Sequence, residues 1–174
     1  MKKAVLIIAE HDFQDIEFSH TKDELEKAGI QVTVASKSKG RKIGVLRTLA
    51  EATISFKELR VDNYDAIVFI GGGGAEQYFD DKEAFKIIQD SVKKGKLIAA
   101  ICIAPLILAN AGILQGRKAA VWDAGDGKTA AKLEMKGAKF INEDVVADNS
   151  IITACGPGAA RDFGRTIAKA LLKQ

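Results

Sequence analysis

Three uninterrupted apolar runs constrain the fold of this chain more than any other feature. They are Ala4–Ala9, Ala66–Ile70 and Leu97–Ile101. Each run has the length of a strand, and none alternates apolar with polar residues as a strand with one solvated face would. The pattern predicts strands buried on both faces, which are typical of parallel sheets that are covered by helices on each side.

Segments with the apolar spacing of amphipathic helices lie between and after these runs. We expect helices at Ile16–Ala28, Asp80–Lys94, Pro105–Ala111, Lys128–Lys136 and Ala159–Leu172. We expect further strands at Gln31–Ser36, Thr53–Phe56 and Lys118–Val121, and a hairpin of Val145–Ala147 with Ile151–Ala154. Residues 37–53 are predicted to form a loop or a short edge hairpin. The alternation predicts an α/β fold, with a doubly wound, mostly parallel sheet and helices on both faces.

Length and charge narrow the class of protein. A chain of 174 residues suits a single domain, 1–174, whose core needs no disulfide staples. Its two cysteines are therefore expected to be free thiols in a reducing, cytoplasmic compartment. The net charge of +3 comes with short basic clusters that contain no aromatic residue, so we expect no nucleic-acid partner. No apolar stretch reaches the ~20 residues that span a bilayer, so we expect no membrane partner either.

Ligands of doubly wound sheets bind beyond the carboxyl ends of the strands. Four segments directly follow a predicted strand and are therefore the candidate sites: Glu10–Glu17, Gly71–Gly74, Cys102–Ile103 and Cys155–Gly158. The two histidines, His11 and His20, are too few and too far from either cysteine in sequence to predict a zinc site. We expect neither a metal nor another cofactor.

Cys102 is the candidate nucleophile. It lies between a predicted strand and a helix that begins near Pro105, and a sharp strand-to-helix turn presents its side chain above the sheet. The helix N-terminus is expected to lower the pKa of the thiol. The alternative is that Cys102 is a small buried apolar residue, because free cysteines are among the most buried residues.

Two neighbouring segments offer partners for this thiol. The glycines Gly71–Gly74 allow backbone N–H groups to approach an oxyanion closely, although a tight turn explains them equally well. Glu17 lies in the first turn of a predicted helix, where an acidic residue is common because of the helix dipole. If its carboxyl instead reaches Cys102, the two groups would share one proton, and Glu17 would act as general acid or base.

In order and spacing, these pieces resemble the DJ-1/ThiJ/PfpI family over essentially the whole chain. The residues that carry the resemblance are Asp15-Ile16-Glu17, Gly71-Gly72, Ala100-Ile101-Cys102, Ala104-Pro105, Gly112-Ile113-Leu114, Thr153-Ala154-Cys155-Gly156-Pro157-Gly158 and Asp162-Phe163. The resemblance implies a flavodoxin-like sandwich, similar to class I glutamine amidotransferases, that forms a homodimer or larger homo-oligomer. It also implies that Cys102 is the reactive cysteine, that Glu17 is hydrogen-bonded to it, and that the N–H groups of Gly72 and Ile103 form the oxyanion pocket.

The sequence departs from the family pattern at its histidines. Many members have a histidine directly after the cysteine, where this chain has Ile103, and another frequent histidine position aligns with Trp122. Neither His11 nor His20 matches a family histidine. Peptidase activity is therefore not expected, because a thiol peptidase needs an imidazole to activate the thiol and to protonate the leaving amine.

The family contains several activities, so the fold does not decide the reaction. We expect a cofactor-independent cysteine enzyme that acts on small reactive carbonyls, of the glyoxalase or deglycase type. The alternatives are a non-catalytic redox sensor or chaperone-like stress protein that uses the same thiol, and a degenerate member that serves only as a structural partner.

Further candidate pocket residues are Gly73, Trp122, Cys155 and Gly156. For Cys155 two roles stay open: a thiol that resolves oxidised Cys102, or a small filler residue in the turn.

Overall fold

A computed structural model describes residues 1–173 of the chain. Its strands are β1 (Lys3–Ile7), β2 (His11–Phe13), β3 (Gln31–Ser36), β4 (Gly40–Gly44), β5 (Leu49–Ala52), β6 (Ile54–Ser55), β7 (Ala66–Phe69), β8 (Leu97–Ile101), β9 (Lys118–Ala119), β10 (Lys139–Phe140), β11 (Val145–Asp148) and β12 (Ile151–Ala154). Its α-helices are α1 (Asp15–Lys27), α2 (Lys82–Lys93), α3 (Pro105–Asn110), α4 (Lys128–Met135) and α5 (Ala160–Leu172). Short 3-10 turns occur at Val61–Asn63, Gly73–Tyr78 and Pro157–Ala159.

Within residues 1–173, the central sheet has seven strands in the order β11-β12-β8-β7-β1-β3-β6. The pairs β1–β3, β1–β7, β7–β8, β8–β12 and β3–β6 are parallel, and only β11 runs antiparallel to its neighbour β12. The prediction of a doubly wound, mostly parallel sheet is confirmed. As expected from this topology, the carboxyl ends of β1, β7, β8 and β12 meet along one edge of the sheet.

The helices form a layer on each face of the sheet, and alternate strand residues pack into each. Leu6, Val68 and Ile101 contact α1 and α5 on one side, which we call the α1–α5 layer. Ile7 and Phe69 face α2, α3 and α4 on the other side. The continuous apolar runs are thus explained, because both faces of these strands are covered.

Three short elements, β2, β9 and β10, differ from the expectations. The predicted loop or hairpin at residues 37–53 is a hairpin of β4 and β5, and it pairs with β2, a strand that the sequence pattern did not predict. Two of the three residues of β2 are exposed, so it lacks the apolar signal of a buried strand. The expected strand at Lys118–Val121 is shorter and pairs with β10 in a separate sheet.

No helix of the described residues is long and apolar enough to cross a membrane.

Candidate active site

Cys102 directly follows β8 and adopts a backbone conformation that non-glycine residues rarely enter, with φ at +64°. Two backbone hydrogen bonds hold it there: its N–H donates to the Ala154 carbonyl (2.9 Å), and its own carbonyl accepts from the Trp122 N–H (2.8 Å). Strand alternation after Ile101 would direct the next side chain to the opposite face. The positive φ instead turns Cys102 into the α1–α5 layer, where it is buried.

Gly71 allows Glu17 and Cys102 to approach each other. Its N–H donates to Glu17 Oε2 at 2.9 Å. A Cβ at this position would lie 2.5 Å from Cys102 Cβ, 2.7 Å from Glu17 Oε2 and 2.7 Å from the Ile101 carbonyl oxygen. Real side chains do not tolerate such distances, so only glycine fits between the carboxyl and the thiol-bearing residue.

Glu17 is fully buried in the first turn of α1. The turn is fixed by Gln14, whose side-chain oxygen accepts from the N–H groups of Ile16 (2.7 Å) and Glu17 (3.0 Å) as the helix N-cap. Burial raises the pKa of Glu17 to about 7, although hydrogen bonds with the Cys102 thiol and the Gly71 amide act in the opposite direction. Among the described residues, Glu17 Oε1 has no partner in ordinary hydrogen-bond geometry, so the contact with the thiol is a loose one.

The thiol is less acidic than its position at a strand-to-helix turn suggests. Burial raises the pKa of Cys102, and the charge of Glu17 raises it further, while the N–H groups of Gly72 and Ile103 act in the opposite direction. The expectation that the turn by itself lowers this pKa is therefore wrong: desolvation outweighs the donors. Above pH ~7 the pair holds one proton, on sulfur, with the carboxylate beside it as the acceptor.

The segment after β7 brings backbone N–H groups to the thiol. Gly72 has φ at +102°, and a Cβ there would lie 2.5 Å from the Asp12 carbonyl oxygen, so this conformation requires glycine. The N–H groups of Gly72 and Ile103 act on the Cys102 thiol by lowering its pKa, against the larger effect of burial. Gly73 begins the following 3-10 turn and has open space beside its α-carbon. The structure thus places the amides of Gly72 and Ile103 near Cys102, and their role as an oxyanion pocket stays a prediction.

Trp122, Cys155 and Gly156 lie at the same edge of the sheet. The Trp122 side chain is partly exposed, and its Cδ1 lies 3.4 Å from where a Cβ on Gly156 would be. Cys155 is half-buried and packs against the α1–α5 layer, as Cys102 does. Its thiol donates to Asp144 Oδ1 at 3.6 Å. Both cysteines are free thiols.

Neither histidine joins this group. The His11 ring is exposed on β2, and its Nδ1 lies 3.0 Å from Asp12 Oδ2. His20 lies on α1 and is half-buried. Within the part of the chain that the structure describes, no hydrogen bond links either imidazole to Cys102 or Glu17. The described residues also contain no group of three or more histidine, cysteine or acidic side chains that could hold a metal ion.

Two surface depressions of the described residues lie away from these side chains. One of ≈ 330 Å³ lies between residues 56–62 and α2, and another lies between α1 and α5. Neither is lined by a candidate site residue.

Two acidic residues outside the predicted site shape this edge. Asp123 accepts four backbone N–H groups, from Gly125, Gly127, Thr129 and Ala130, and so fixes the loop after Trp122. Its position before a Gly-rich turn and a helix is a capping signal that could have found it. Asp144 contacts Cys155 across eleven positions of sequence, and no local pattern marks it.

Asp15, next to the site on α1, holds the β4–β5 hairpin. Its carboxylate accepts from the N–H groups of Leu46 and Thr48, each at 2.7 Å, and packs directly against Gly44. Burial alone would raise the pKa of Asp15, but the donors from Leu46 and Thr48 outweigh it and lower the pKa. One turn of α1 thus bears two carboxyl groups with opposite pKa shifts: at Glu17 the effect of burial exceeds that of its hydrogen bonds, whereas at Asp15 the backbone and side-chain hydrogen bonds with Leu46 and Thr48 exceed the effect of burial.

The chain is similar to known proteins over nearly its whole length. The model of the DJ-1/PfpI family matches residues 2–170. A protein named deglycase PfpI from Pyrococcus furiosus is 29% identical over 96% of this chain and 98% of its own length. A protein named glutathione-independent glyoxalase DJR-1.2 from Caenorhabditis elegans is 28% identical over 98% of this chain and 89% of its own length.

The fold is shared with solved structures of the same group. The crystal structure of a ThiJ/PfpI domain protein from Brachyspira murdochii has a TM-score of 0.94 at 27% identity, covering 99% of this chain and 97% of that chain. A match of this extent covers every strand and helix that builds the site. The chain therefore belongs to the DJ-1/PfpI family.

Proposed function

We propose that this protein is a cofactor-independent cysteine enzyme of the glyoxalase or deglycase type, which acts on small reactive carbonyl compounds. Relatives named deglycase and glutathione-independent glyoxalase support this class of reaction. The observation that carries the proposal is the contact between the buried carboxyl of Glu17, with its pKa raised to about 7, and the thiol of Cys102. A general acid–base group is most effective when its pKa is near the working pH.

The first step of the proposed reaction is addition of Cys102 to the aldehyde carbon of a 2-oxoaldehyde such as methylglyoxal. Glu17 accepts the thiol proton as the S–C bond forms, and the carbonyl π electrons move to oxygen. The N–H groups of Gly72 and Ile103, which lower the pKa of the Cys102 thiol, are suited to donate to this oxyanion. Glu17 then returns its proton to the oxygen, which gives a neutral hemithioacetal and restores the carboxylate.

The second step moves a proton between adjacent carbons. The Glu17 carboxylate removes the proton from the former aldehyde carbon, which gives an enediolate with its negative charge on the ketone oxygen. Glu17 then returns this proton to the neighbouring carbon, and the hydroxyl proton on the former aldehyde carbon passes to the ketone oxygen, so that the C–OH group becomes the thioester carbonyl. The product is a thioester of lactate on Cys102. Water cleaves the thioester, so methylglyoxal and one water yield lactate with no net oxidation or reduction.

The test is conversion of methylglyoxal to lactate by the purified protein without glutathione. We expect turnover by the wild type and its loss in Cys102→Ala and Glu17→Gln, by about 10²–10⁴-fold for the removal of an acid–base group. Glu26→Gln is the matched control, because Glu26 lies exposed on the same helix and forms an ion pair with Lys22. A folded wild type without turnover on methylglyoxal or on glycated amines would contradict the proposal. Oxidation of Cys102 in such a protein would favour the redox-sensor alternative.

We further propose that copies of the chain associate as a homodimer or larger homo-oligomer. The β4–β5 hairpin carries four exposed apolar side chains: Ile43, Val45, Leu46 and Leu49. The cross-strand pair of Arg41 and Glu51 sets opposite charges beside them, so this face is complementary to a second copy of itself. Sedimentation velocity should show an oligomer for the wild type and a monomer for Leu46→Asp. A monomeric wild type would refute the proposed self-association.

A further inference from the structure

The two cysteines of the chain occupy matched positions on neighbouring strands. In the parallel pair of β8 and β12, Ile101 is the register partner of Ala154, so Cys102 and Cys155 each follow one residue beyond the last pair. The Cys102 N–H donates to the Ala154 carbonyl (2.9 Å), which continues the ladder past the strand ends. Neighbouring strands lie about 4.8 Å apart. That spacing is within the α-carbon separation of about 4.4–6.8 Å that a disulfide requires.

Both side chains also lie on the same side of the sheet. Ile101 and Ala154 face the α1–α5 layer, and regular alternation would send the residues after them to the other face. The positive φ of Cys102 turns its side chain back into this layer, and Cys155 packs against the same layer. The Glu17 charge contributes to raising the pKa of both thiols, after burial in each case, which agrees with their common location.

We propose that Cys155 is the resolving thiol of Cys102 and that the two form a reversible intramolecular disulfide. A hydroperoxide oxidises the Cys102 sulfur to a sulfenic acid, and the peroxide is reduced to an alcohol or water. The Cys155 sulfur then attacks the sulfenic sulfur, the S–O bond breaks, and the hydroxyl leaves as water with the Cys155 proton. A dithiol reductant restores both thiols. The inference rests on the proposed function only for the reactivity of Cys102.

Asp144 controls the second thiol in the reduced protein. The Cys155 thiol donates to Asp144 Oδ1 at 3.6 Å, so rotation about its Cα–Cβ bond must precede attack on Cys102. Burial and the Asp144 carboxylate both raise the pKa of Cys155, which favours the protonated thiol in the reduced protein. Removing the Asp144 charge should therefore increase the thiolate fraction of Cys155 and speed the closure of the disulfide.

The experiment treats the whole protein with hydrogen peroxide at one equivalent, followed by alkylation, intact mass measurement and peptide mapping. For the wild type we expect a mass lower by two hydrogen atoms, a Cys102–Cys155 peptide, and full recovery of both thiols with dithiothreitol. For Cys155→Ser, and for Cys155→Ala as a second variant, we expect a dimedone-reactive sulfenic acid on Cys102. With more peroxide this sulfenic acid should be oxidised to a sulfinic acid, which dithiothreitol does not reduce. Asp144→Asn should close the disulfide faster than the wild type.

Two results would overturn the inference. One is that the wild type accumulates a dimedone adduct or a sulfinic acid on Cys102 as readily as Cys155→Ser does. The other is that disulfides form only between separate chains. These readouts need no substrate, so they separate the inference from the proposed function. A disulfide without carbonyl turnover refutes only the function, and turnover without a disulfide refutes only the resolving role of Cys155.

Discussion

The Gly71 N–H donates to Glu17 Oε2 at 2.9 Å, and this hydrogen bond holds a fully buried carboxyl beside the thiol of Cys102. The bond joins the first turn of α1 to the end of β7. It provides the carboxyl with a single backbone donor, which is too little to offset the cost of burial. The carboxyl consequently titrates near neutral pH, where it can both accept and return a proton.

Gly71→Ala should damage both stability and activity. The new Cβ would lie 2.5 Å from Cys102 Cβ and 2.7 Å from Glu17 Oε2, and neither neighbour can move far in a buried site. We expect a loss of about 1–3 kcal/mol in the free energy of unfolding, measured by chemical denaturation. Because misplacing catalytic groups by about 1 Å can cost about 10²-fold in rate, turnover should fall by a similar factor.

Gly158→Ala provides the control for this substitution. A Cβ on Gly158 meets no atom within 4 Å, so its unfolding free energy should match that of the wild type. Equal stability of Gly71→Ala and Gly158→Ala would show that the close approach at Gly71 is relieved without cost, contrary to the prediction.

The rate of carbonyl turnover should rise with pH through about 7. Burial raises the pKa of Glu17 to about 7, and only its carboxylate form can accept the thiol proton. Because burial and the Glu17 charge also raise the pKa of Cys102, the thiol adds no second inflection near neutral pH. The measurement is kcat/KM for methylglyoxal against pH, with the rate of Cys102 alkylation by iodoacetamide as a substrate-free companion.

The alkylation profile identifies the titrating group. Its inflection near pH 7 should vanish in Glu17→Gln and persist in Glu26→Gln. An unchanged inflection in Glu17→Gln would assign the titration to another group, and a rate that falls through pH 7 would reverse the proposed role of the carboxyl.

Burial of Glu17 should also make stability depend on pH. Its pKa is about 7 in the folded protein and 4.5 as the reference for the unfolded chain. The folded state therefore binds more protons between these values, and stability is lost as the pH rises from 4.5 through about 7. The shift corresponds to about 3 kcal/mol, at 1.36 kcal/mol per pKa unit.

Comparison with Glu17→Gln isolates this contribution. The difference in unfolding free energy between the two proteins, measured by urea denaturation, should change in this pH range and level off on either side. Carboxyl groups with a lowered pKa change the unfolding free energy at more acid pH instead. An example is Glu10, which is partly buried but accepts hydrogen bonds from Lys42 and Ser38, and whose pKa is lowered to about 2. A difference that stays constant from pH 4.5 to 7 would mean that Glu17 does not titrate there.

Asp15→Ala should loosen the β4–β5 hairpin. The substitution leaves the N–H groups of Leu46 and Thr48 without their acceptor, and each unpaired donor costs about 1–3 kcal/mol where it stays buried. Hydrogen exchange at these two amides should accelerate, with little change at amides of β8. Asp15→Asn keeps one acceptor oxygen and should give an intermediate effect. Equal exchange in all three proteins would show that the turn is held by other contacts.

The sequence by itself determined the layered fold and the principal candidates. Runs such as Leu97–Ile101 are apolar on both faces, and this property is local, so the parallel sheet and its order of elements could be predicted. Cys102 was identified because a strand-to-helix junction is also a local feature. The short strands β2 and β10 were missed, because their pairing depends on partners far along the chain and not on their own few residues.

Only the tertiary structure decided how these residues act on each other. The pKa of a group depends on its burial and on the donors that reach it, and both come from segments distant in sequence. The burial of Glu17 beside Cys102, the raised pKa of the thiol and the contact of Asp144 with Cys155 are all of this kind. The register that sets Cys102 opposite Cys155 likewise exists only after β8 and β12 have paired.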